Sequence, residues 1–565
     1  MNKIITTIGI LLMAFSSFGQ NVEIIIDNGK SIIDENLNLI ICNENISGYD
    51  LTNINSLSIT INGNTYIFSN IPNQLEYGIA YQVSLNLQQY ALYFSQLPLI
   101  NIYPSQQIVD EPKVLADFIL SDIANSLVIT SYCGIEFRGG YSQSFPKKSY
   151  DIELWEDPDG NDNNSIPLLN MRNDDDWVLL SMYNEPLRIR NVFNHNLWTS
   201  IHTPYYSAQE PNAKSGINIK YVEVSVDNEY MGVYALGEQV DKKQLKLKKY
   251  NGSIRGELYK GINWCGNVTF TDLPPYDNNS RIWCGYELKY PKANDITDWS
   301  NLYDFVDFVM NSSDIDFVNN ISTNFNLENA IDYFIFLNLL RATDNTGKNI
   351  YLAKYKTFEP YFYVPWDLDG TYGIIWNGNQ ENIYDDILKN GLYDRLLSSE
   401  NNLFNQQASN RWFELRNNSL EYNNLISNFT NTYNYLLTNG NYEREVLKWG
   451  INSIDLSNLT YSIDWINNRI NFLDIYFGST ILSIEDIDFN SHSILIYPNP
   501  VNQSFKINCK KCTENTQYFM YNTLGVLVTK GIITSDKNID INSLPDGMYF
   551  FRIDSGEIVK IIKKR

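Results

Sequence analysis

Apolar and polar residues alternate in short runs near the start of the chain: VEIII, NLIIC, SLSITING, TYIFSNI, AYQVSLNL and YALYFSQL, all between 21 and 96. A period of two turns one face of each run toward a core, which predicts an all-β module over 21–96. From 97 onward, strand-like runs such as SYDIELW, WVLLSMY and YVEVSVDNEYMGVYAL are mixed with loops. After about 290 the pattern lengthens to helical spacing in WSNLYDFVDFVMNS, LENAIDYFIFLNLLRA, YDDILKNGLYDRLLSS and SIDWINNRINFLDIYF. Strands followed by helices predict one large α+β unit over 97–480. An irregular stretch, 481–493, separates it from a last set of β-like runs over 494–565: SFKINC, QYFMYN, VLVTKGI, NIDINSL, MYFFRID and IVKIIKK. Pro498-Asn499-Pro500 and Pro545-Asp546-Gly547 punctuate these runs, as in a small β-sandwich.

Composition narrows the chemistry. The chain has 565 residues, room for three or four domains at ~150 residues each. Against 42 Lys and Arg stand 65 Asp and Glu, a net charge of −23. Such a surface repels phosphate backbones and anionic lipid, which argues against nucleic-acid or membrane-surface partners. The three histidines, His195, His202 and His492, are too few for a multi-histidine metal cage and leave few candidates for a Ser-His-Asp triad. His195 and His202 lie on or near a predicted helix and are expected to pack or cap. Metal chemistry is therefore expected to be that of a hard cation on oxygen ligands.

The first 20 residues, MNKIITTIGILLMAFSSFGQ, join a lysine to an apolar run and a small-residue stretch, the pattern of a secretory signal peptide. The run is shorter than the ~20 residues a spanning helix needs, and no later stretch is long and apolar enough. The mature chain is thus expected to be exported without a transmembrane segment. Cys265 and Cys284 bracket a Pro-, Asp- and Asn-rich loop that a disulfide would close. Cys42 and Cys133 read as buried small hydrophobes, and Cys509-Lys510-Lys511-Cys512 as a local disulfide or spare thiols, since no second pair completes a zinc ribbon.

The C-terminal segment resembles the sorting domain of type IX secretion cargo. The matching residues are Ile496-Tyr497-Pro498-Asn499-Pro500, Tyr521-Asn522 with Leu524-Gly525, Leu544-Pro545-Asp546-Gly547-Met548-Tyr549, and the basic end 560–565. The resemblance implies the type IX machinery as a partner, passage across an outer membrane, and either surface attachment or release.

Three segments of the central unit carry chemistry. In RGGYSQSFPKKSYDIEL (138–154) a Gly-Gly turn leads into a strand with two lysines at its start, an arrangement that can approach phosphate oxygens. Asp344-Asn345-Thr346-Gly347-Lys348-Asn349 has the D-x-x-x-x-N spacing of a kinase catalytic loop. In VPWDLDGTYG (364–373) an aspartate follows a buried strand with glycine behind it, the placement of a Mg²⁺ ligand. If the backbone turns there, Asp367 and Asp369 can share a metal; if it stays extended, one of them binds.

Together with WVLLSMYNEPLRIRN (177–191) and YVEVSVDNEYMGVYALGEQVDKKQL (221–245), these stretches resemble, in family order, the CotH kinase family. The resemblance implies a kinase-like bilobal fold, multidomain with its flanking β-modules. It implies binding of ATP with Mg²⁺ or Mn²⁺, and Ser/Thr phosphorylation of a secreted or surface protein substrate. Carried over, Asp344 is the catalytic aspartate, Asn349 a metal or phosphate neighbour, Asp367 the main metal ligand and Asp369 its helper. Lys148 or Lys147 holds the phosphates, Glu238 pairs with that lysine, and Arg138 touches phosphate or orders the turn. The alternative is a non-catalytic surface scaffold or adhesin built on a kinase-like fold. A third reading is a glycosidase with aromatic sugar platforms, for which no carboxylate pair can be singled out.

Overall fold

The computed structural model describes residues 20–398, 403–481, 494–509, 516–523, 525–534, 537–553 and 558–564. The expected leader up to residue 19, the stretch 482–493 and Cys512 lie outside the described residues. The chain divides into two compact units between Thr480 and Ile481.

The first unit begins with a seven-stranded sheet. Its alternation is the one expected of a sheet with one covered face: Ile54–Ile61 buries Leu57, Ile59 and Ile61 and turns Ser56 and Ser58 away. Strands Gln20–Ile26 and Ser31–Asp34 form the two edges. This sheet shares a core with strands beyond residue 97. Ile32, Leu39, Ile41 and Tyr93 pack with Leu99 and Tyr230, and Asp34 accepts the Tyr230 N–H at 2.8 Å. Asn43 donates to the carbonyls of Ser95 and Leu97 at 3.1 and 3.0 Å.

Next comes a closed seven-stranded barrel. Its order is Leu127–Arg138, Ser149–Trp155, Asp176–Leu180, Glu229–Glu238, Ile219–Val226, Leu99–Pro104, Val114–Asp122 and back to the first. Closure leaves no edge strand, and Phe118, Ile135, Ile152, Trp177, Val224 and Leu236 are among the side chains that fill the interior. Ile219–Val226 and Glu229–Glu238 are joined by Asp227-Asn228, both at positive φ, the two-residue turn that matches strand twist.

A five-stranded sheet comes after the barrel, with Glu257–Gly261 at its centre and Ile350–Lys354 beside Tyr361–Pro365. Helix Leu327–Leu340, apolar around most of its circumference and buried along most of its length, packs against it. The helices expected from periodicity form at Ser300–Asn311, Leu327–Leu340 and Asn458–Ile481. YDDILKNGLYDRLLSS is helical only over Gly391–Ser398. Its first half has no regular structure and is held by Asp386 accepting from Arg341 and Arg469 and by the Leu388 N–H donating to Asn338. Further helices, beyond those expected from periodicity, form at Asp314–Asn324, Leu403–Arg416, Tyr422–Thr438 and Asn441–Trp449. Among the described residues no helix is long and apolar enough to cross a membrane.

The second unit has a three-stranded and a four-stranded sheet over one small core that includes Phe505, Ile507, Met520, Tyr549, Phe551 and Ile561.

Candidate functional site

A cavity of about 730 Å³ opens in the first unit, between one end of the barrel and the five-stranded sheet. The barrel side supplies Arg138 at the end of its strand and Gly139, Gly140, Tyr141 and Ser142 of the turn beyond it. Gly139 has φ +97°, a backbone conformation that side-chain-bearing residues rarely adopt, so the turn depends on glycine. Arg138 lays its guanidinium 5.3 Å from the centre of the Trp366 ring, and its buried Nη1 has no hydrogen-bond partner among the described residues.

Opposite stand Asp344, Lys348, Asn349, Asp367 and Asp369, with Lys260 reaching in from the central strand Glu257–Gly261. Asp344 lies on the short turn Thr343–Thr346 that comes after helix Leu327–Leu340. Asn345 ties that turn to the next strand pair by donating to the carbonyls of Asn349 and Trp366 at 2.7 and 2.8 Å. Asp367 succeeds strand Tyr361–Pro365 and Trp366 with φ +57°, so the backbone does turn, and both Asp367 and Asp369 face the cavity. Asp367 accepts from Asn349 Nδ2 at 3.0 Å, and Asp369 from Asn184 Nδ2 at 2.9 Å.

The NEPLRIRN stretch holds this loop from below. Glu185 accepts the N–H groups of Leu187, Ile189 and Arg190 at the start of helix Arg190–Ile201 and pairs with the Arg190 guanidinium. Arg190 Nε donates to the Thr371 carbonyl at 3.0 Å. Asn191 accepts the Leu368 N–H at 2.9 Å, and Asn194 donates to the Leu368 carbonyl at 2.9 Å. Leu368 stands between the two aspartates, so the motif fixes where both carboxylates sit.

Three carboxylates and three cations thus share one cavity. Burial raises the pKa of Asp344, with Lys348 opposing and Asp367 adding to it. It raises that of Asp367 against Lys260, Arg138 and Lys348, and that of Asp369 with repulsion from Asp367. Lys260 is drawn down to about 8, by burial first and then by Arg138. A set of carboxylate oxygens and an amide suits a hard divalent cation.

Of the residues expected from sequence, Arg138, Asp344, Asn349, Asp367 and Asp369 line the cavity, whereas Lys147, Lys148 and Glu238 do not. Lys147 is fully buried on Glu445 Oε1 and the Val233 carbonyl, both at 2.6 Å, and burial lowers its pKa to about 8. Lys148 donates to the carbonyls of Gln143 and Phe145 at 2.6 and 2.7 Å, closing its own turn. Glu238 accepts from the backbone of Arg172 and Asn218, so it makes no pair with either lysine. The lysine that a strand brings into the cavity, beside Lys348 of the loop, is Lys260. Its signal was a single lysine in the short strand ELYKG, whose other residues are all buried.

The histidines and cysteines take structural places. His195 is buried within helix Arg190–Ile201, and His202 caps that helix while its Nδ1 meets Asp332 at 2.8 Å. Cys265 and Cys284 are joined, and Cys42 and Cys133 are buried thiols.

A family model described as CotH kinase protein matches residues 135–473, and one described as secretion system C-terminal sorting domain matches 495–565. No curated protein matches the chain. The first match takes in more than half the chain and every cavity residue named above. The chain therefore belongs to the CotH kinase protein family and carries a secretion sorting domain at its C-terminal end.

Proposed function

We propose that the protein is an exported phosphotransferase that moves the γ-phosphoryl group of ATP, bound with Mg²⁺ or Mn²⁺, onto Ser or Thr hydroxyls of secreted or surface proteins. The observation that carries this reading is the meeting of Asp344, Asp367 and Asp369 with Arg138, Lys260 and Lys348 on one cavity. Anionic phosphates need the cations, and a divalent cation bound with them would need the carboxylates. Asp367, Asp369 and Asn349 would hold the cation, which supplies charge neutralisation for the phosphates. Lys260, Lys348 and Arg138 orient the phosphates, with Lys260 in the part expected of Lys147 or Lys148. The acceptor oxygen forms the new bond to the γ-phosphorus, the bond to the bridging oxygen breaks, ADP leaves, and the hydroxyl proton passes to Asp344.

On this reading the barrel side and the sheet-and-helix side act as the two lobes of a kinase-like core, and the sorting domain delivers the chain through the type IX machinery to the surface or the medium. Calorimetry on the full chain tests it. Metal-dependent ATP binding is expected in the wild type, lost in Asp367→Asn, and kept in Asp344→Asn, which should fail only in transfer. A folded wild type with no metal-dependent ATP affinity would leave the scaffold alternative instead.

A further inference from the structure

The strand that carries Lys260 and its antiparallel neighbour Tyr286–Tyr290 are connected through residues 262–285, and Cys265–Cys284 closes that connection at its base, with Cα atoms 5.9 Å apart. Immediately before Cys265, Trp264 projects into the cavity wall and lays its indole on the turn that carries Asp344. Its Nε1–H donates to Thr346 Oγ1 at 3.3 Å, and Lys348 Nζ stands 5.6 Å from the centre of the ring system. A Cβ on Gly347 would come within 2.6 Å of Trp264 Cδ1, so only glycine lets the two segments close. The rest of the connection has its own anchors. Val268, Phe270 and Trp283 are buried, and Asn267 donates to the Trp283 carbonyl at 2.8 Å. Opening the cross-link should therefore free the segment around Trp264 and leave the core packed. Cys284 is exposed, within reach of a thiol.

We propose that Trp264, held by the Cys265–Cys284 cross-link, is a positioning residue that fixes the Asp344–Asn349 turn for binding metal and polyphosphate, so that opening the cross-link weakens the site without unfolding the protein. This rests on the phosphotransferase reading. Trp264 touches no reacting atom; it holds Thr346, Gly347 and Lys348, and through them the residues at either end of the turn, Asp344 and Asn349. The site is then complete only where disulfides persist, as in an exported protein.

Reduction by dithiothreitol tests the proposal. The dithiol leaves as its cyclic disulfide with two electrons transferred, and each cysteine takes up a proton. Affinity for Mn²⁺–ATP is expected to fall about tenfold on reduction, as for other residues that orient metal ligands. Trp264→Ala with the cross-link intact should show the same loss, Trp264→Phe a smaller one, and reduction of Trp264→Ala no further loss. A purely structural cross-link would instead lower the melting temperature and leave affinity unchanged, and additive losses would also overturn the proposal. Should the reduced protein unfold, the two Trp264 variants decide alone.

A second readout needs no nucleotide: acetylation of Lys348 by acetic anhydride, followed by peptide mass spectrometry. It should run severalfold faster after reduction and in Trp264→Ala; equal rates would refute the positioning role. If the oxidised wild type binds no Mn²⁺–ATP, the phosphotransferase reading fails, while the labelling still reports on Trp264.

Discussion

His195 has both ring nitrogens buried without hydrogen-bond partners among the described residues, and burial pulls its pKa down to about 3. The folded protein keeps this ring neutral, whereas the unfolded chain protonates it near the ordinary value of about 6.5. As pH falls from about 6.5 toward 3, the unfolded state binds the extra proton and stability is lost, at about 1.4 kcal/mol per pH unit from this residue. Urea unfolding at pH 6.5 and pH 5 should therefore show the wild type losing about 2 kcal/mol more than His195→Met. An equal loss in both proteins would mean that the folded state takes up the proton too. The same residue scale explains the two lysines expected at the phosphates. A lysine side chain is long enough to turn away from the site, and Lys147 found Glu445, nearly 300 positions along the chain.

The elements that decide the proposed metal site are helix Arg190–Ile201 and the loop 367–373. Asn191 and Asn194 bond the N–H and carbonyl of Leu368, and Asn194 also donates to Thr371 Oγ1 at 3.0 Å, so the helix holds the loop by its backbone and by one side chain. Asn191→Ala leaves the buried Leu368 N–H without an acceptor, which should cost about 1–3 kcal/mol of stability. Because Leu368 separates Asp367 from Asp369, the same variant should weaken Mn²⁺ binding as well. Stability measured by denaturant and affinity by calorimetry should fall together. A loss of stability with unchanged Mn²⁺ affinity would show that the clamp holds the fold and not the ligands. The 262–285 connection works at this scale too, setting a turn from outside the sheet.

For the whole molecule, the division at Thr480 and the core shared at Leu99 make opposite predictions. A chain ending at Thr480 should keep the cavity and its melting midpoint, since the second unit has a core of its own. A chain lacking residues 20–96 should not fold stably. Its barrel would expose Leu99 and Tyr230, and Glu223, which is bonded to Ser95 and pairs with Arg444, would lose the serine. Melting curves and solubility of the two truncations check this. A well-folded barrel without 20–96 would make the first sheet a separable module.

Local pattern alone determined a good deal. The strand runs, the long helices and the Asp227-Asn228 turn arise from side-chain period and backbone preference, properties of neighbours in sequence. Asp344, Asn349, Asp367 and Asp369 could be picked out because each lies on a short turn whose spacing is itself the signal. The match to the CotH kinase family and to the sorting domain rests on the same kind of order along the chain. What only the tertiary structure decided is which charges meet. Lys260 entered the cavity and Lys147 left it because ion pairing depends on distance in space and on burial, which sequence separation does not carry. Closure of the barrel, the shared core at Leu99 and the seat of Trp264 on the Asp344 turn are likewise contacts between remote segments, fixed only when the chain packs.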